Sequence, residues 1–302
     1  MKARYAHEPY PSNPTSTPRR RRARPEPSLG YAAPMTSRLR QPIALTIAGS
    51  DSGGGAGVQA DLKTFAALGV HGTTAVTCLT AQNPRAVTAV HAAPSKIVRA
   101  QIEAVFAELR PGAVKTGMLF NAATIREVVA FWSALPAKGR PPLVVDPVMV
   151  ATSGARLLQP AAVKVLTGAL LPLATLVTPN LDEAEILVGR KLRSVEDIRA
   201  AAIEIHLRFG CAALVKGGHL RGTKAATDVF FDGRDELTLS ALFVRGVEPH
   251  GTGCTYSAAI AGYLALGLAL PESVELAKNH ITQAIAQSVR IAKHTALEPF
   301  WK

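Results

Sequence analysis

Ile43–Asp61 has the sequence IALTIAGSDSGGGAGVQAD, in which an apolar segment runs directly into a glycine-rich loop (residues 49–57). The segment Ile43–Ala48 has the composition of a buried strand, and an amphipathic helix, Leu62–Leu68, follows the loop. A loop in this position lies at the carboxyl end of its strand, where open α/β sheets bind ligands. The segment therefore predicts a strand, a ligand-binding loop and a helix, in that order.

The same alternation of strand and helix continues along the chain. Further strands are predicted at Thr73–Thr80, Ala113–Thr116, Leu143–Asp146, Thr175–Thr178 and Ala213–Lys216. Helices are predicted at Lys96–Leu109, Ala122–Leu135, Ala161–Leu170, Val195–Phe209, Cys254–Leu266 and Ser273–Lys293. Such alternation is typical of parallel βαβ units, whereas Thr227–Phe231 and Leu237–Leu242 are close enough to pair antiparallel. We therefore expect an α/β fold with a doubly wound, mostly parallel sheet and an antiparallel edge.

Composition favours a single domain over residues 41–302 and a separate tail over residues 1–40. Hydrophobic residues make up 48% of the 302 residues, and no composition break follows residue 42. No apolar run reaches the roughly 18 residues of a membrane span. The tail holds nine Lys and Arg and seven prolines, so we expect a disordered, basic, Pro/Arg-rich segment.

The formal net charge of +12 is concentrated in that tail. The tail contributes +7 and leaves about +5 for the folded body, so the charge is weak evidence for a nucleic-acid partner and none is expected. A genuine basic tail and a start at Met35 are equal alternatives, and Glu8 and Glu26 count against a transit peptide. Three widely spaced cysteines without a CxxC pair fit a reducing, cytoplasmic environment, and Cys78 and Cys211 are expected in the core.

Polar side chains follow the predicted strands at their carboxyl ends. They include Gln82 after the second strand, Lys115 and Met118 around the end of the third, and Asp146 at the end of the fourth. Pro179-Asn180-Leu181-Asp182-Glu183 and Lys216-Gly217-Gly218-His219 follow the next two strands. Because the carboxyl ends of parallel strands meet at one edge of the sheet, these residues predict a site for a small polar-aromatic molecule and a phosphate donor.

The stretch His250-Gly251-Thr252-Gly253-Cys254-Thr255 begins the predicted helix at Cys254–Leu266. The first amides of a helix have no intrahelical acceptor, and glycine lets an anion approach them closely, so the stretch predicts a phosphate site. A cysteine at a helix N-terminus has a lowered pKa, which makes Cys254 a candidate proton acceptor or nucleophile. The alternative is an ordinary glycine-rich entry into a helix.

Two common nucleotide motifs are absent or incomplete. Gly55-x-Gly57-x-x-Ala60 matches a degenerate dinucleotide fingerprint, but no Asp or Glu occurs between Asp61 and Glu103 to hold a ribose, and no Gly-Lys-Ser/Thr occurs at all. The remaining possibility is phosphate handling by the C-terminal anion site, with Glu183 and Asp146 suited to Mg²⁺ and Lys216 available to neutralise the donor. For each residue there is an alternative: Asn180 caps a helix, Glu183 is a solvated first-turn acid, and Lys216 is a strand-end charge.

Seven ordered motifs give the chain a resemblance to a known family. They are AGSDSGGGAGVQAD from Ala48, TAQN from Thr80, KTGML from Lys115, DPVM from Asp146, TPNLDEA from Thr178, VKGGH from Val215 and HGTGCT from His250. The chain resembles hydroxymethylpyrimidine/phosphomethylpyrimidine kinases from about residue 42 to about residue 292. The resemblance implies a ribokinase-like, three-layer αβα fold, ATP as phosphate donor, Mg²⁺, a homodimer, and two successive phosphorylations of an aminopyrimidine in thiamine biosynthesis.

The resemblance also implies roles for individual residues. Gln82 resembles the family's pyrimidine reader, which suits an amide because it offers a donor and an acceptor. Gly251, Thr252 and Gly253 would supply the amides of the anion site, and Cys254 would be a catalytic group. Asn180, Lys216 and Thr252 would contact ATP. The rest of the substrate pocket is assigned to Asp61, Gly49, Gly57, Met118 and Val148.

Two other functions stay open at this stage. Some relatives phosphorylate pyridoxal, so a pyridoxal or pyridoxine kinase is the close alternative. A non-catalytic nucleic-acid-binding or regulatory module is the distant alternative, suggested by the tail. The body of the chain lacks a basic stripe with interleaved aromatic residues, which argues against that second alternative.

Overall fold

The central sheet is built outward from β1 (Ile43–Asp51), the strand that precedes the glycine-rich loop. In the computed structural model, which describes residues 41–149, 158–218, 220, 222–244 and 250–300, this strand lies in a sheet of nine strands with the order β3-β2-β1-β4-β5-β6-β7-β8-β9. The other strands are β2 (His71–Asn83), β3 (Ala86–Ala92), β4 (Ala113–Thr116), β5 (Leu143–Val145), β6 (Leu176–Val177), β7 (Ala212–Val215), β8 (Ala225–Phe231) and β9 (Glu236–Leu242).

The six adjacent strands β2-β1-β4-β5-β6-β7 pair in parallel, which confirms the prediction of a mostly parallel α/β sheet. The predicted antiparallel edge is formed by β8 and β9, which follow β7. A second antiparallel edge, β3 on β2, was not predicted. All carboxyl ends of the parallel strands therefore meet at one edge of the sheet.

Eight α-helices within the described residues cover the two faces of the sheet. They are α1 (Gly57–Ala67), α2 (Ser95–Glu108), α3 (Ala122–Ala134), α4 (Pro160–Val165), α5 (Leu181–Val188), α6 (Val195–Phe209), α7 (Thr252–Ala265) and α8 (Leu270–Ala286). Successive strand residues point to opposite faces, so Leu45 and Val145 pack with α2–α6, whereas Ala44 and Val144 pack with α1, α7 and α8. The result is the predicted three-layer αβα arrangement.

Several boundaries differ from the prediction for local reasons. The first helix begins at Gly57 rather than Leu62. The predicted helix over residues 161–170 changes at Leu166 into a π-helical turn, and Pro172 then lies in a short 3₁₀ turn, because proline has no amide hydrogen with which to continue an α-helix. The last helix ends at Ala286 rather than Lys293, and β10 (Val289–Ile291) and β11 (His294–Ala296) form a small hairpin after it.

The remaining expectations concern the tail, the membrane and the core thiols. The predicted tail over residues 1–40 lies outside the described residues, and the chain from Gln41 onward groups as one compact unit. Among the helices that the structure describes, none is long and apolar enough to cross a membrane. Cys78 and Cys211 are free and buried, as predicted.

Candidate active site

The glycine-rich loop is held in place by the carboxylate at the end of β1. Asp51 Oδ1 accepts a hydrogen bond from the Gly53 amide (2.8 Å), and Oδ2 accepts from the amides of Gly55 (3.1 Å) and Ala56 (2.8 Å). Burial acts to raise the pKa of Asp51, but the hydrogen bonds from His250 and from the loop amides outweigh burial and lower it. Asp51 was not predicted as a site residue, although Asp-Ser-Gly is a typical side-chain-to-backbone turn signal.

The glycine-rich loop and the loop before α7 form one continuous surface. Gly251 has φ 85°, and a Cβ atom there would lie 1.8 Å from the carbonyl oxygen of Gly55. Gly57 has φ 58°, and a Cβ atom there would lie 2.4 Å from the carbonyl oxygen of Gly49. Both positions require glycine, because a side chain would be strained and would separate the two backbones. The sequence elements predicted to bind substrate and phosphate are therefore adjacent.

His250 connects these loops to Gln82. Its Nε2 atom lies 3.0 Å from Gln82 Nε2 and 3.3 Å from Asp51 Oδ2. Gln82 is the next-to-last residue of β2, and its side chain is partly buried. His250 appeared in the quoted motif but was not predicted to act, because its partners are 168 and 199 residues away in sequence.

Met118 and Val148 are the residues predicted to pack on the substrate ring. Met118 Sδ lies 3.7 Å from the position of a Cβ atom on Gly49, which places the thioether beside the glycine-rich loop. Val148 is partly buried and has φ 44°, a left-handed conformation that is rare for a β-branched residue. Such strain costs about 1–3 kcal/mol and is found mostly at functional sites. Both residues lie just beyond strand ends, where the sequence predicted them.

The phosphate side is built on the first turn of α7. Gly251 precedes the helix in the left-handed conformation, and Thr252, Gly253 and Cys254 provide the first turn. Lys216, after β7, places Nζ 3.2 Å from the position of a Cβ atom on Gly253. The anion site therefore combines the positive end of a helix with an ammonium group, which is the arrangement the sequence predicted for a phosphate.

Asp146 links Lys216 to α7. Its Oδ1 accepts a hydrogen bond from Lys216 Nζ (3.3 Å), and Oδ2 accepts from Ser257 Oγ (3.1 Å). Asp146 and Lys216 both have mostly buried side chains. Ser257 was not predicted, and its position one turn after Gly253 is the only sequence signal that points to it.

Asn180 and Glu183 form a capping box at the start of α5. Asn180 Oδ1 accepts from the Glu183 amide (2.9 Å), and Glu183 Oε2 accepts from the Asn180 amide (2.9 Å). Glu183 Oε1 also accepts from the Met149 amide (3.0 Å). The alternative considered for Asn180, a helix cap, is therefore what the structure shows, while the alternative for Glu183, a solvated acid, is wrong because Glu183 is buried.

The two carboxylates fit a hard, oxygen-coordinated cation. Burial and the nearby Asp146 carboxylate raise the pKa of Glu183 to about 7, with Lys216 and the two backbone amides acting in the opposite direction. Two carboxylates that repel one another, with oxygen lone pairs not used by the protein, match the donors that Mg²⁺ prefers. No group of three or more His, Cys, Asp or Glu side chains in the described part of the chain is arranged to hold a metal, so water and phosphate oxygens would complete the coordination.

Cys254 differs from its prediction. Burial raises the pKa of its thiol to about 11, Lys115 lowers it, and the carboxylates of Asp61 and Asp146 raise it further. The predicted lowering of this pKa is therefore wrong, because desolvation and two buried carboxylates outweigh the Lys115 ammonium group and the hydrogen bond from the Gly57 backbone. Cys254 nevertheless lies where the sequence placed it, in the first turn of α7 beside the anion site.

Asp61 lies beneath the site in a buried ion pair. Both of its carboxylate oxygens lie 2.8 Å from Lys115 Nζ, and Oδ2 also accepts from Thr46 Oγ1 at 2.6 Å. Neither charged side chain has any exposed surface. The predicted contact of Asp61 with substrate stays a prediction, whereas its pairing with Lys115 is a direct observation.

The chain is similar to known kinases over most of its length. The family described as phosphomethylpyrimidine kinase matches residues 51–297. A hydroxymethylpyrimidine/phosphomethylpyrimidine kinase from Rhizobium meliloti (strain 1021) is 52% identical over 250 residues, which cover 82% of this chain and 92% of the relative. The crystal structure of phosphomethylpyrimidine kinase from Clostridium difficile 630 is 44% identical, with a TM-score of 0.70 over 80% of this chain and 99% of that one.

A pyridoxal kinase has a similar backbone. The structure of the enzyme from Staphylococcus aureus in complex with AMP-PCP and pyridoxal is 34% identical, with a TM-score of 0.77 over 86% of this chain and 94% of that one. Backbone similarity alone therefore does not separate the two kinds of kinase, whereas sequence identity favours the pyrimidine kinases.

Proposed function

This chain belongs to the phosphomethylpyrimidine kinase family, and from that premise we propose that it phosphorylates 4-amino-5-hydroxymethyl-2-methylpyrimidine with ATP and then phosphorylates the monophosphate. The diphosphate product serves thiamine diphosphate biosynthesis. The observation that carries the proposal is the direct junction of the Gln82 amide, through His250, with the anion site at Gly251–Gly253. That junction supports the assignment of Gln82 as the reader of the aminopyrimidine and of Gly251–Gly253 as the adjacent phosphate site.

The phosphate side accounts for binding of the donor. The N-terminus of α7, with the backbone of Gly251, Thr252 and Gly253, would bind the transferring phosphoryl group, and Lys216 would balance its charge. Asn180 lies beside Lys216, because the two residues form an isolated parallel bridge. We assign both residues to contacts with ATP.

Asp146 and Glu183 would hold Mg²⁺, partly through water. A bound Mg²⁺ would neutralise charge on the phosphate groups during transfer. Lys216 holds Asp146 from one side and Ser257 holds it from the other, so this carboxylate is fixed before the ligand arrives. The two backbone amides fix Glu183 in the same way.

The substrate side accounts for binding of the pyrimidine. Gln82 offers the ring edge an amide, and Met118 and Val148 offer apolar contacts to the ring faces. Gly49 and Gly57 would shape the pocket through the backbone, because their missing side chains let Cys78 pack against Gly49 and the Gly49 carbonyl group pack against Gly57. The substrate hydroxyl oxygen attacks the γ-phosphorus atom of ATP, the bond from that phosphorus to the β,γ-bridging oxygen breaks, ADP leaves, and the hydroxyl proton passes to the transferred phosphate or to solvent water. With Cys254 largely protonated, positioning and charge stabilisation supply most of the rate.

Two further properties are part of the proposal. We place the chain in the cytoplasm, which its three free cysteines support. We also propose a homodimer, supported by the exposed apolar side chains Leu79, Val87 and Val90 on β2 and β3. Residues 41–302 are proposed as the catalytic domain.

Product analysis tests the proposed activity directly. The purified full chain, incubated with ATP, Mg²⁺ and the hydroxymethylpyrimidine, is expected to form the monophosphate first and the diphosphate afterwards. Pyridoxal, offered at the same concentration, is expected to react more slowly. Rapid formation of pyridoxal phosphate without any pyrimidine diphosphate would assign the chain to the alternative function.

A further inference from the structure

The amide of Gln82 lies between two groups whose hydrogen atoms are positioned by other contacts. Gln82 Nε2 lies 3.0 Å from His250 Nε2, and Gln82 Oε1 lies 3.1 Å from Thr80 Oγ1. His250 Nε2 is also 3.3 Å from Asp51 Oδ2, and Thr80 Oγ1 is 2.8 Å from the carbonyl oxygen of Ser50. The nitrogen and oxygen of a carboxamide exchange places by a half-turn about the last side-chain bond, so the surrounding hydrogen bonds decide their positions.

At one end of the amide, Asp51 requires a hydrogen atom on His250 Nε2, and that hydrogen is shared between Asp51 and the nearer atom of Gln82. An ionised carboxylate can only accept, so the contact between Asp51 Oδ2 and His250 Nε2 requires a hydrogen atom on Nε2. A protonated Nε2 cannot accept a hydrogen bond from an amide NH₂ group. The atom of Gln82 that faces His250 must therefore be an acceptor, which is the amide oxygen.

At the other end, the hydrogen atom of Thr80 belongs to Ser50. A hydroxyl has one hydrogen, and the 2.8 Å contact with a carbonyl oxygen uses it. Toward Gln82 the Thr80 oxygen can then only accept. The atom of Gln82 that faces Thr80 must be a donor, which is the amide nitrogen, and both ends thus require the same orientation.

We propose that Asp51, His250 and Thr80 fix the Gln82 amide with its oxygen toward His250 and its nitrogen toward Thr80, and that this orientation selects a 4-aminopyrimidine edge. The inference rests on the proposed function, in which Gln82 contacts the pyrimidine. After these contacts Gln82 keeps one oxygen lone pair on the His250 side and one N–H on the Thr80 side. His250 and Thr80 are positioning residues, because they act through Gln82.

The fixed amide also orients the substrate. The exocyclic amino group donates to the oxygen on the His250 side, and the adjacent ring nitrogen accepts from the N–H on the Thr80 side. The hydroxymethyl group is attached to the ring carbon next to the one that carries the amino group, so it lies on the His250 side. His250 directly precedes Gly251 and the anion site, so the reacting hydroxyl points toward the phosphate.

A pair of substrates with opposite edges tests the orientation. The 4-oxo analogue, 5-hydroxymethyl-2-methylpyrimidin-4-one, presents an exocyclic acceptor beside a ring N–H, which is the reverse of the 4-amino pattern. The native chain should prefer the amino compound in kcat/KM. Thr80→Val and His250→Phe each release one end of the Gln82 amide, so the amide can turn over and pair with the 4-oxo analogue. The preference for the amino compound should then fall about tenfold, because the analogue no longer leaves polar groups of Gln82 unpaired.

The control is Thr88→Val, which removes a hydroxyl that bonds to the Ala81 carbonyl oxygen on the neighbouring strand and does not touch Gln82. The preference should be unchanged there, and because it is a ratio it does not depend on how much of each variant folds. An unchanged preference in both Thr80→Val and His250→Phe would overturn the proposal.

A second measurement is independent of activity. In the full-length protein labelled with ¹⁵N-histidine, the Nε2 resonance of His250, assigned with His250→Phe, should be that of a protonated nitrogen. A bare Nε2 with the hydrogen on Nδ1 would overturn the fixed amide even if the kinase reaction is as proposed. Conversely, a protonated Nε2 in a chain that phosphorylates neither pyrimidine would support the fixed amide and refute only the proposed function.

Discussion

Replacing Cys254 should reduce turnover far less than crowding the adjacent Gly253. A thiol pKa of about 11 leaves about one Cys254 side chain in 10⁴ deprotonated at pH 7, so activating it as a base costs about 5 kcal/mol. An efficient general base has a pKa near the working pH. We therefore expect Cys254→Ala to lower kcat by less than about tenfold, since the anion-site amides that stabilise the phosphoryl group stay in place.

Gly253→Ala adds a methyl group in the same turn of α7 and is the matched variant. The new Cβ atom would lie 3.2 Å from Lys216 Nζ and 3.8 Å from Asp146 Oδ2, so the ammonium group must shift by a few tenths of an ångström, and the methyl group would keep a phosphate from approaching the helix amides closely. Losing one such charge-stabilising contact costs about 10²–10³ in kcat, and we expect a decrease of that size together with a higher KM for ATP.

Steady-state kinetics of the hydroxymethylpyrimidine reaction, with melting temperatures to confirm folding, compare the two variants. A loss of about 10²–10⁴ in kcat for Cys254→Ala, beside a nearly normal Gly253→Ala enzyme, would refute the reasoning and restore the cysteine as general base. The loss of one limb of the pH–rate profile in Cys254→Ala would lead to the same conclusion.

Two further predictions concern buried charge. Lys115→Met leaves the fully buried Asp61 carboxylate without its ammonium partner and should lower the free energy of unfolding, measured in urea, by about 3–5 kcal/mol. Combining Lys115→Met with Asp61→Asn should recover part of that loss. If the effects of the two substitutions were simply additive, the pairing would be contradicted. Because Glu183 has a pKa raised from 4.5 to about 7, the native state binds more protons than the unfolded state between these values, so stability without ligands should fall as pH rises through this window. Glu183→Gln should flatten the slope of stability against pH. Mg²⁺ with ADP should do the same in the unmodified chain, because a bound cation favours the ionised carboxylate. If neither change affects the slope, another group is responsible for it.

The parallel part of the fold could be predicted because its signals are local. Each buried strand from β4 to β7 is a short apolar run followed by polar residues, and those residues met at one edge as expected. The strand β3 could not be found in this way, since nearly all of its residues are exposed and it shows no burial pattern of its own. Its position depends on pairing with β2, which is a tertiary property.

The site residues divide in the same way into those with a local sequence signal and those whose role depends on tertiary contacts. Lys216 lies directly after β7 and Gly253 lies in the first turn of α7, and both positions follow from local sequence signals. Gln82 is the next-to-last residue of β2 rather than a residue that follows the strand. The pKa of Cys254 could not be predicted from its helix position, since it depends on carboxylates from α1 and from the end of β5. His250 was missed for a related reason: its role appears only when the end of β1 and the end of β2 are both beside it.

The distribution of buried charge supports the proposed requirement for a divalent cation. Lys115 is paired with Asp61 and Lys216 with Asp146, while Glu183 is held by backbone amides. A pKa of about 7 for Glu183 means that the positive charge nearby only just stabilises its ionised form. ATP alone would add negative phosphates to this balance and raise that pKa further, whereas a dication between the phosphates and the two carboxylates would lower it. Binding of nucleotide and binding of Mg²⁺ at the proposed site should therefore be strongly coupled, each increasing the affinity for the other by the same factor.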